Sequence, residues 1–138
     1  MHARQRDCLV LSDEVYGQFT YDGVGHVSLA SPDLMEGARV VVVESFSKTY
    51  GMTGWRVGNV VCSDSRLADR IATIQMCCCS APCTVSQHAA LAALESYSSY
   101  VEVTRVKYAD RMCLMTQALE QILALSVAYP GGVLYCFI

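Results

Sequence analysis

Residues 45–58 read Ser-Phe-Ser-Lys-Thr-Tyr-Gly-Met-Thr-Gly-Trp-Arg-Val-Gly, a polar, glycine-rich stretch between two apolar runs. Before it, residues 39–44 (Arg-Val-Val-Val-Val-Glu) are β-branched and read as a strand buried on both faces. After it, residues 57–62 (Val-Gly-Asn-Val-Val-Cys) read as a further strand. An earlier run, residues 8–12 (Cys-Leu-Val-Leu-Ser), ends in acid at Asp13 and reads as another buried strand. Asp13 and Lys48 therefore each follow a strand, which is where open α/β sheets place their sites.

Outward from this centre, residues 17–37 are rich in Gly, Asp, Ser and Pro and read as loop. From Asp64, a candidate N-cap, a helix is predicted through about Met76. Pro82 breaks the pattern, and a second helix is predicted from Thr84 through Leu94. A third spans about Ser99 to Leu125, with Val103, Val106, Met112, Met115, Leu119, Ile122 and Leu123 as its apolar stripe. The turn Tyr129-Pro130-Gly131-Gly132 then leads into a predicted strand, Val-Leu-Tyr-Cys-Phe-Ile. Buried strands followed by helices predict an α/β layered fold.

Composition narrows the function classes. Of 138 residues, 53% are hydrophobic and 17% charged, which excludes a disordered, solvated chain. A net charge of -3 leaves no basic footprint for nucleic acid. Charged residues interrupt every apolar run before membrane-spanning length, and the N-terminus lacks the apolar core of a secretory signal. The eight cysteines, four of them at Cys77, Cys78, Cys79 and Cys83, read as reduced thiols of a cytoplasmic protein, with no metal site.

The residue types at the strand ends match what chemistry with pyridoxal 5'-phosphate (PLP) demands. An amine must bond the cofactor, and it must shed its proton to attack. A carboxylate must keep the pyridine nitrogen protonated so that the ring draws off electrons. A phenol suits the ring oxygen, while hydroxyls and an Arg fork suit the phosphate. The chain supplies Asp13, Tyr16, Ser45, Ser47, Lys48 and Arg56 in that order. Taken singly, each has a bland reading. An Asp at a strand end is a cap or loop residue, a lone Lys is a surface charge, and Tyr16 is half-buried core.

The joint pattern goes further. Residues 45–58 resemble the lysine motif of the class I and II aminotransferases, PLP enzymes of fold type I. Asp13-Glu14-Val15-Tyr16 resembles the same family's contacts to the pyridine nitrogen and ring oxygen. The run Ser80-Ala81-Pro82-Cys83-Thr84-Val85-Ser86-Gln87-His88-Ala89-Ala90 is similar to the bacterial-type aspartate aminotransferase branch, and the Pro-Gly-Gly turn with the strand after it resembles the start of the family's smaller domain. The resemblance implies that Lys48 forms the Schiff base with PLP and shuttles a proton between the substrate α-carbon and the cofactor. It gives Asp13 the pyridinium, Tyr16 the ring oxygen, and Ser45 and Arg56 the phosphate, with a weaker phosphate or structural role for Ser47. Gly51, Gly54 and Gly58 are expected to let the backbone turn closely around the site.

By the same resemblance, residues 1–98 are part of a large PLP-binding domain with a mostly parallel sheet and helices. Residues 99–138 are a helix leading into a smaller domain. The chain is then a fragment, family members being about three times as long, and by itself inactive. A phosphate loop, a ring-stacking aromatic and an Asn would precede residue 1, and the Arg gripping the substrate carboxylate would follow residue 138. Glu44 stands where the branch carries a neutral amide, and Ala81 where it carries Asn. The implied substrates are an aspartate- or glutamate-like amino acid and a 2-oxo acid. The implied assembly is a homodimer, with neither nucleic acid nor membrane as partner. Two alternatives remain at this point: a PLP-dependent lyase of the same fold, and a truncated, non-catalytic protein.

Overall fold

The structure is a computed structural model that describes residues 5–138, leaving aside the side chains of 97 and 98. The chain forms two compact units. One comprises the residues up to Val15 together with Val27–Glu95; the other comprises Tyr16–His26 together with Ser96–Ile138.

The first unit is built on three strands, β1 (Leu9–Asp13), β2 (Arg39–Ser45) and β3 (Gly58–Cys62), in that spatial order. β1 and β2 are parallel, with Asp13 opposite Val43. β2 and β3 are antiparallel, with Ser45 opposite Gly58. The expected mostly parallel sheet is therefore mixed within these residues. The reason is the short link 46–57, which holds only helix α2 (Phe46–Thr49) and a 3-10 turn (Thr53–Trp55). A parallel return is usually carried by a crossover helix, and one helical turn with a 3-10 turn does not supply it.

Side-chain alternation assigns the two faces. Val40 and Val42, both fully buried, pack with Ala38 against Val10, Leu29, Ala30, Met35 and Val61. The covering segment includes helix α1 (Pro32–Met35), whose Pro at the start suits a first helical turn. Glu14, 8% exposed, ties this segment to the end of β1. Its Oε1 accepts from the Leu29 backbone N–H at 2.9 Å and from Ser12 Oγ at 3.0 Å. Val41 on the opposite face is also buried, so β2 is enclosed on both sides as its sequence predicts. β1 is not: Leu9 and Leu11 are 48% and 69% exposed. Among the described residues only one edge of β1 is paired, and its apolar run gives no sign of which face is covered.

Helix α3 (Ser65–Cys79) starts where expected, the Asp64 carboxylate accepting from the Arg66 backbone N–H at 2.9 Å. It runs three residues past Met76 and packs on β3. Ser80 ends it at positive φ, and α4 (Thr84–Glu95) follows, burying Ser86 and Ala90. Among the described residues no helix is long and apolar enough to cross a membrane.

The second unit centres on α5 (Tyr97–Glu120). Two expectations are corrected within it. First, the loop reading of 17–37 conceals core: Phe19 and Tyr21 are 2% and 1% exposed. Phe19 meets Tyr108 edge-on, and the Arg111 guanidinium lies over the Tyr108 ring. Second, the inward face of α5 carries Val101, Met112 and Thr116, while Val103, Val106, Met115, Ile122 and Leu123 are exposed. Met112 of the predicted stripe is inward, Val103, Val106 and Met115 are not, and Ile122 and Leu123 lie past the end of the helix, which stops at Glu120 rather than near Leu125. Polar residues occupy the inward side because they are bonded there: Thr116 Oγ1 donates to Met112 O, and Arg105 Nη1 donates to Thr20 O.

The strand predicted for 133–138 does not form. A single bridge joins Gly132 to Thr20, and without a continuing partner the backbone beyond it is irregular.

Two glycines are required by close approach. A Cβ on Gly58 would lie 2.6 Å from Glu44 O, and one on Gly132 would lie 2.6 Å from Phe19 O. Both contacts are with backbone, which cannot swing aside. Gly58→Ala is therefore expected to destabilise the protein by about 1–3 kcal/mol, an overpacking penalty. Urea denaturation checks this; an unchanged midpoint contradicts the tight β2–β3 approach.

Candidate active site

The sequence-predicted residues Asp13, Ser45, Ser47, Lys48 and Arg56 all lie in the first unit, and Tyr16 lies in the second. Parallel pairing puts the carboxyl ends of β1 and β2 at one edge of the sheet. Asp13 is level with Val43, and the Glu14 backbone N–H donates to Val43 O at 2.9 Å, carrying the pairing one step further. Asp13, Val43 and Ser45 share a face by alternation.

Asp13 is exposed. Its Oδ1 accepts from the Val15 backbone N–H at 3.2 Å, an Asx-type turn that fixes the carboxylate as the strand ends. The bland and functional readings thus coexist in one side chain. Among the described residues, Oδ2 has no hydrogen-bond partner.

Ser45 has a local role that the sequence did not disclose. It ends β2 in extended conformation and caps α2, its Oγ accepting from the Ser47 backbone N–H at 3.1 Å. A cap orients the turn it starts, so Ser45 sets the direction of the turn carrying Lys48. The Ser45 hydroxyl still holds its own proton for a further acceptor. Lys48 is half-buried in the last turn of α2, where a cation also suits the helix C-terminus. Phe46 and Tyr50, stacked at 5.2 Å, flank it in sequence.

Arg56 is the strained member. It closes the 3-10 turn in the left-handed region, φ 52° and ψ 51°. A non-glycine residue there is uncommon and costs about 1–3 kcal/mol unless its surroundings enforce it. Its Nη1 donates to Thr53 O at 2.9 Å, folding the guanidinium back on its own turn and leaving the rest of the fork uncommitted among the described residues. The glycine expectation is met at Gly51, which has φ 64°, and at Gly58, but not at Gly54. Gly54 has ordinary φ and open space where a Cβ would lie, so the sharp turn falls on Arg56 instead.

Glu44 accepts from Asn59 Nδ2 at 2.9 Å across the β2–β3 pair and is exposed. Beside it an open, mostly apolar cleft of about 460 Å³ is lined by Arg56, Val60, Ala68, Ile71 and Gln75 among others. Asp13, Ser45 and Lys48 do not line it. Arg56 therefore borders both the strand-end cluster in sequence and this cleft in space.

The comparisons with known proteins agree with this architecture. The family model of aminotransferase class I and II matches residues 1–138. The aspartate aminotransferase of Pyrococcus abyssi is 39% identical over 137 residues, covering 98% of this chain and 34% of that protein. Aromatic-amino-acid aminotransferase 2 of Thermococcus litoralis is 37% identical over the same length, again covering 98% and 34%. Among solved structures, the aromatic aminotransferase of Pyrococcus horikoshii superposes with a TM-score of 0.84 at 36% identity, covering 96% of this chain and 35% of that one. The chain belongs to the class I and II aminotransferases, and its α/β fold is part of fold type I. It spans about a third of the length of the curated relatives it matches.

The Ser45 cap can be tested locally. Ser45→Ala is expected to free the Ser47 amide, speeding its hydrogen exchange roughly fivefold for a cap of about 1 kcal/mol. Unchanged exchange at Ser47 would show that Ser45 does not hold the Lys48 turn.

Proposed function

We propose that the protein carrying this chain is a PLP-dependent aminotransferase that moves an amino group between an aspartate- or glutamate-like amino acid and a 2-oxo acid. The observation that carries the reading is the shared sheet edge: Asp13 ends one strand, while Ser45 and the Lys48 turn end its parallel neighbour. Support for the acidic substrate comes from the first relative's description as an aspartate aminotransferase.

The residues fit the cofactor in number and chemistry. Asp13 keeps Oδ2 for a cationic ring nitrogen, Ser45 keeps a hydroxyl proton for a phosphate oxygen, and Arg56 keeps most of its fork. The Tyr16 phenol supplies a donor for the ring oxygen, and Ser47 adds a second hydroxyl beside Ser45. PLP, when bound, supplies the electron sink for charge left at the substrate α-carbon. Lys48 supplies the amine that holds the cofactor. With PLP bound, the Lys48 Nζ would also be the base placed to take the proton from the substrate α-carbon. Asp13 holds a proton on the ring nitrogen, because a carboxylate beside it favours the charged form. Ser45 and Arg56 fix the phosphate so that the reacting atoms stay in register.

In this reading residues 1–98 belong to the large cofactor-binding domain and 99–138 lead into the smaller one. The chain changes compact unit between Glu95 and Ser96, three residues before that boundary, while Tyr16–His26 groups with the later residues. The complete protein is a cytoplasmic homodimer.

Borohydride reduction of the complete, PLP-loaded protein is expected to leave the cofactor label on Lys48. A label on another lysine overturns the assignment. Lys48→Ala is expected to abolish amino transfer and Asp13→Ala to reduce it by at least about a hundredfold, the scale of general acid–base effects. Full activity in either variant contradicts the mechanism. Ammonia release without transfer to a 2-oxo acid contradicts the aminotransferase reading itself.

A further inference from the structure

A second tyrosine meets Tyr16. Tyr16 and Tyr135 stand hydroxyl to hydroxyl at 2.7 Å, the optimal length for an O–H···O bond. Their rings meet edge to face, with centroids 5.7 Å apart. Both residues belong to the second unit. The sequence reading gave Tyr135 only a place in a strand that does not form.

The contact is built by the surrounding backbone. The segment 131–133 is clamped to the segment that begins at Tyr16: Tyr21 N–H donates to Gly131 O at 2.9 Å, Val133 N–H to Phe19 O at 2.7 Å, and Tyr21 Oη to Val133 O at 2.6 Å. Tyr21 is 1% exposed, and burial raises its hydroxyl pKa, so it stays a donor across the ordinary pH range. Gly132 is pressed against Phe19 O too closely for a side chain. Val133, a β-branched residue, is held at φ 63°, a strained geometry that redirects the chain two residues before Tyr135. Strain of this kind persists only where the surroundings enforce it.

We propose that Tyr135 is a positioning residue whose hydroxyl donates to Tyr16 Oη and so aims the single Tyr16 proton at the cofactor's ring oxygen. The inference rests on the function proposed above, in which Tyr16 serves that oxygen. A tyrosine hydroxyl has one proton and two acceptor lone pairs. With the Tyr16 proton directed at the ring oxygen, the 2.7 Å bond must be donated by Tyr135. A donor arriving at Tyr16 Oη polarises its O–H and strengthens the outgoing bond, by roughly 10–30% in a hydrogen-bonded chain. Tyr135 is 59% exposed, so removing its oxygen leaves no buried group unsatisfied.

The test uses the complete protein loaded with PLP and reads the pH midpoint of the cofactor's visible absorbance change. A donor at the ring oxygen stabilises its negative form, so weakening that donor makes the neighbouring nitrogen hold its proton to higher pH. Tyr135→Phe is expected to raise the midpoint by on the order of a few tenths of a pH unit. Tyr16→Phe raises it further, and the double variant matches Tyr16→Phe alone, because Tyr135 acts only through Tyr16. Tyr135→Leu, which also removes the ring contact, gives a rise at least as large as Tyr135→Phe. An unchanged midpoint in Tyr135→Phe, or an equal rise whether or not Tyr16 has its hydroxyl, overturns the proposal. A wild-type protein that develops no visible band refutes the function reading itself, whereas a normal band indifferent to Tyr135 refutes this inference alone.

Discussion

The parallel pairing of Leu9–Asp13 with Arg39–Ser45 is the constraint on which the candidate site depends. In a parallel pair both strands deliver their carboxyl ends to the same edge, so one register fixes which side chains become neighbours. Here it sets Asp13 level with Val43, two residues short of the cap that turns the chain toward Lys48. A slip of one residue would send Asp13 to the other face of the sheet. The buried valines prevent such a slip. Val40 and Val42 fill the core on one face, and displacing them would exchange buried apolar surface for water. Glu14 secures the same register from the far end, through its backbone bond to Val43 and its carboxylate bond to Leu29.

Around this frame the site uses local devices more than bulk. Ser45 serves as strand end and helix cap at once, its Oγ accepting from the Ser47 backbone N–H. Arg56 is held in a conformation that most residues avoid, and Gly58 permits the close backbone approach opposite Ser45. Strain at Arg56 and at Val133, each near a residue with a proposed role, fits the tendency of strained backbone to gather where side chains must be aimed. In both places a hydrogen bond to a neighbouring carbonyl holds the geometry: Arg56 with Thr53, and Val133 with Phe19.

The parts legible in the sequence are those with strong local signals. The valine run could only be a buried strand, and Asp64 is a cap by residue type and by the helical period that follows it. The order Asp13, Tyr16, Ser45, Lys48, Arg56 carried the family, which no single residue could do. What stayed hidden depended on long-range partners. Phe19 and Tyr21 look like loop residues because their burial comes from contacts more than eighty residues along the chain, such as Phe19 with Tyr108. The inward face of α5 was misread because Thr116 bonds its own helix and Arg105 reaches Thr20, so polar residues could face inward. Tyr135 escaped notice because its contact with Tyr16 follows a strained turn at Val133 that no residue type announces. Gly54 misled in the opposite direction, as a glycine whose freedom the backbone does not use.

The central claim is that the carboxylate at 13 and the amine at 48 serve one aromatic ring. The direct measurement is the nitrogen-15 chemical shift of the ring nitrogen in the complete protein loaded with nitrogen-15-labelled PLP. The account predicts a protonated ring nitrogen in the wild type and a neutral one in Asp13→Asn, with the cofactor still attached to Lys48 in both. A ring nitrogen whose shift is the same with and without the Asp13 carboxylate would contradict it.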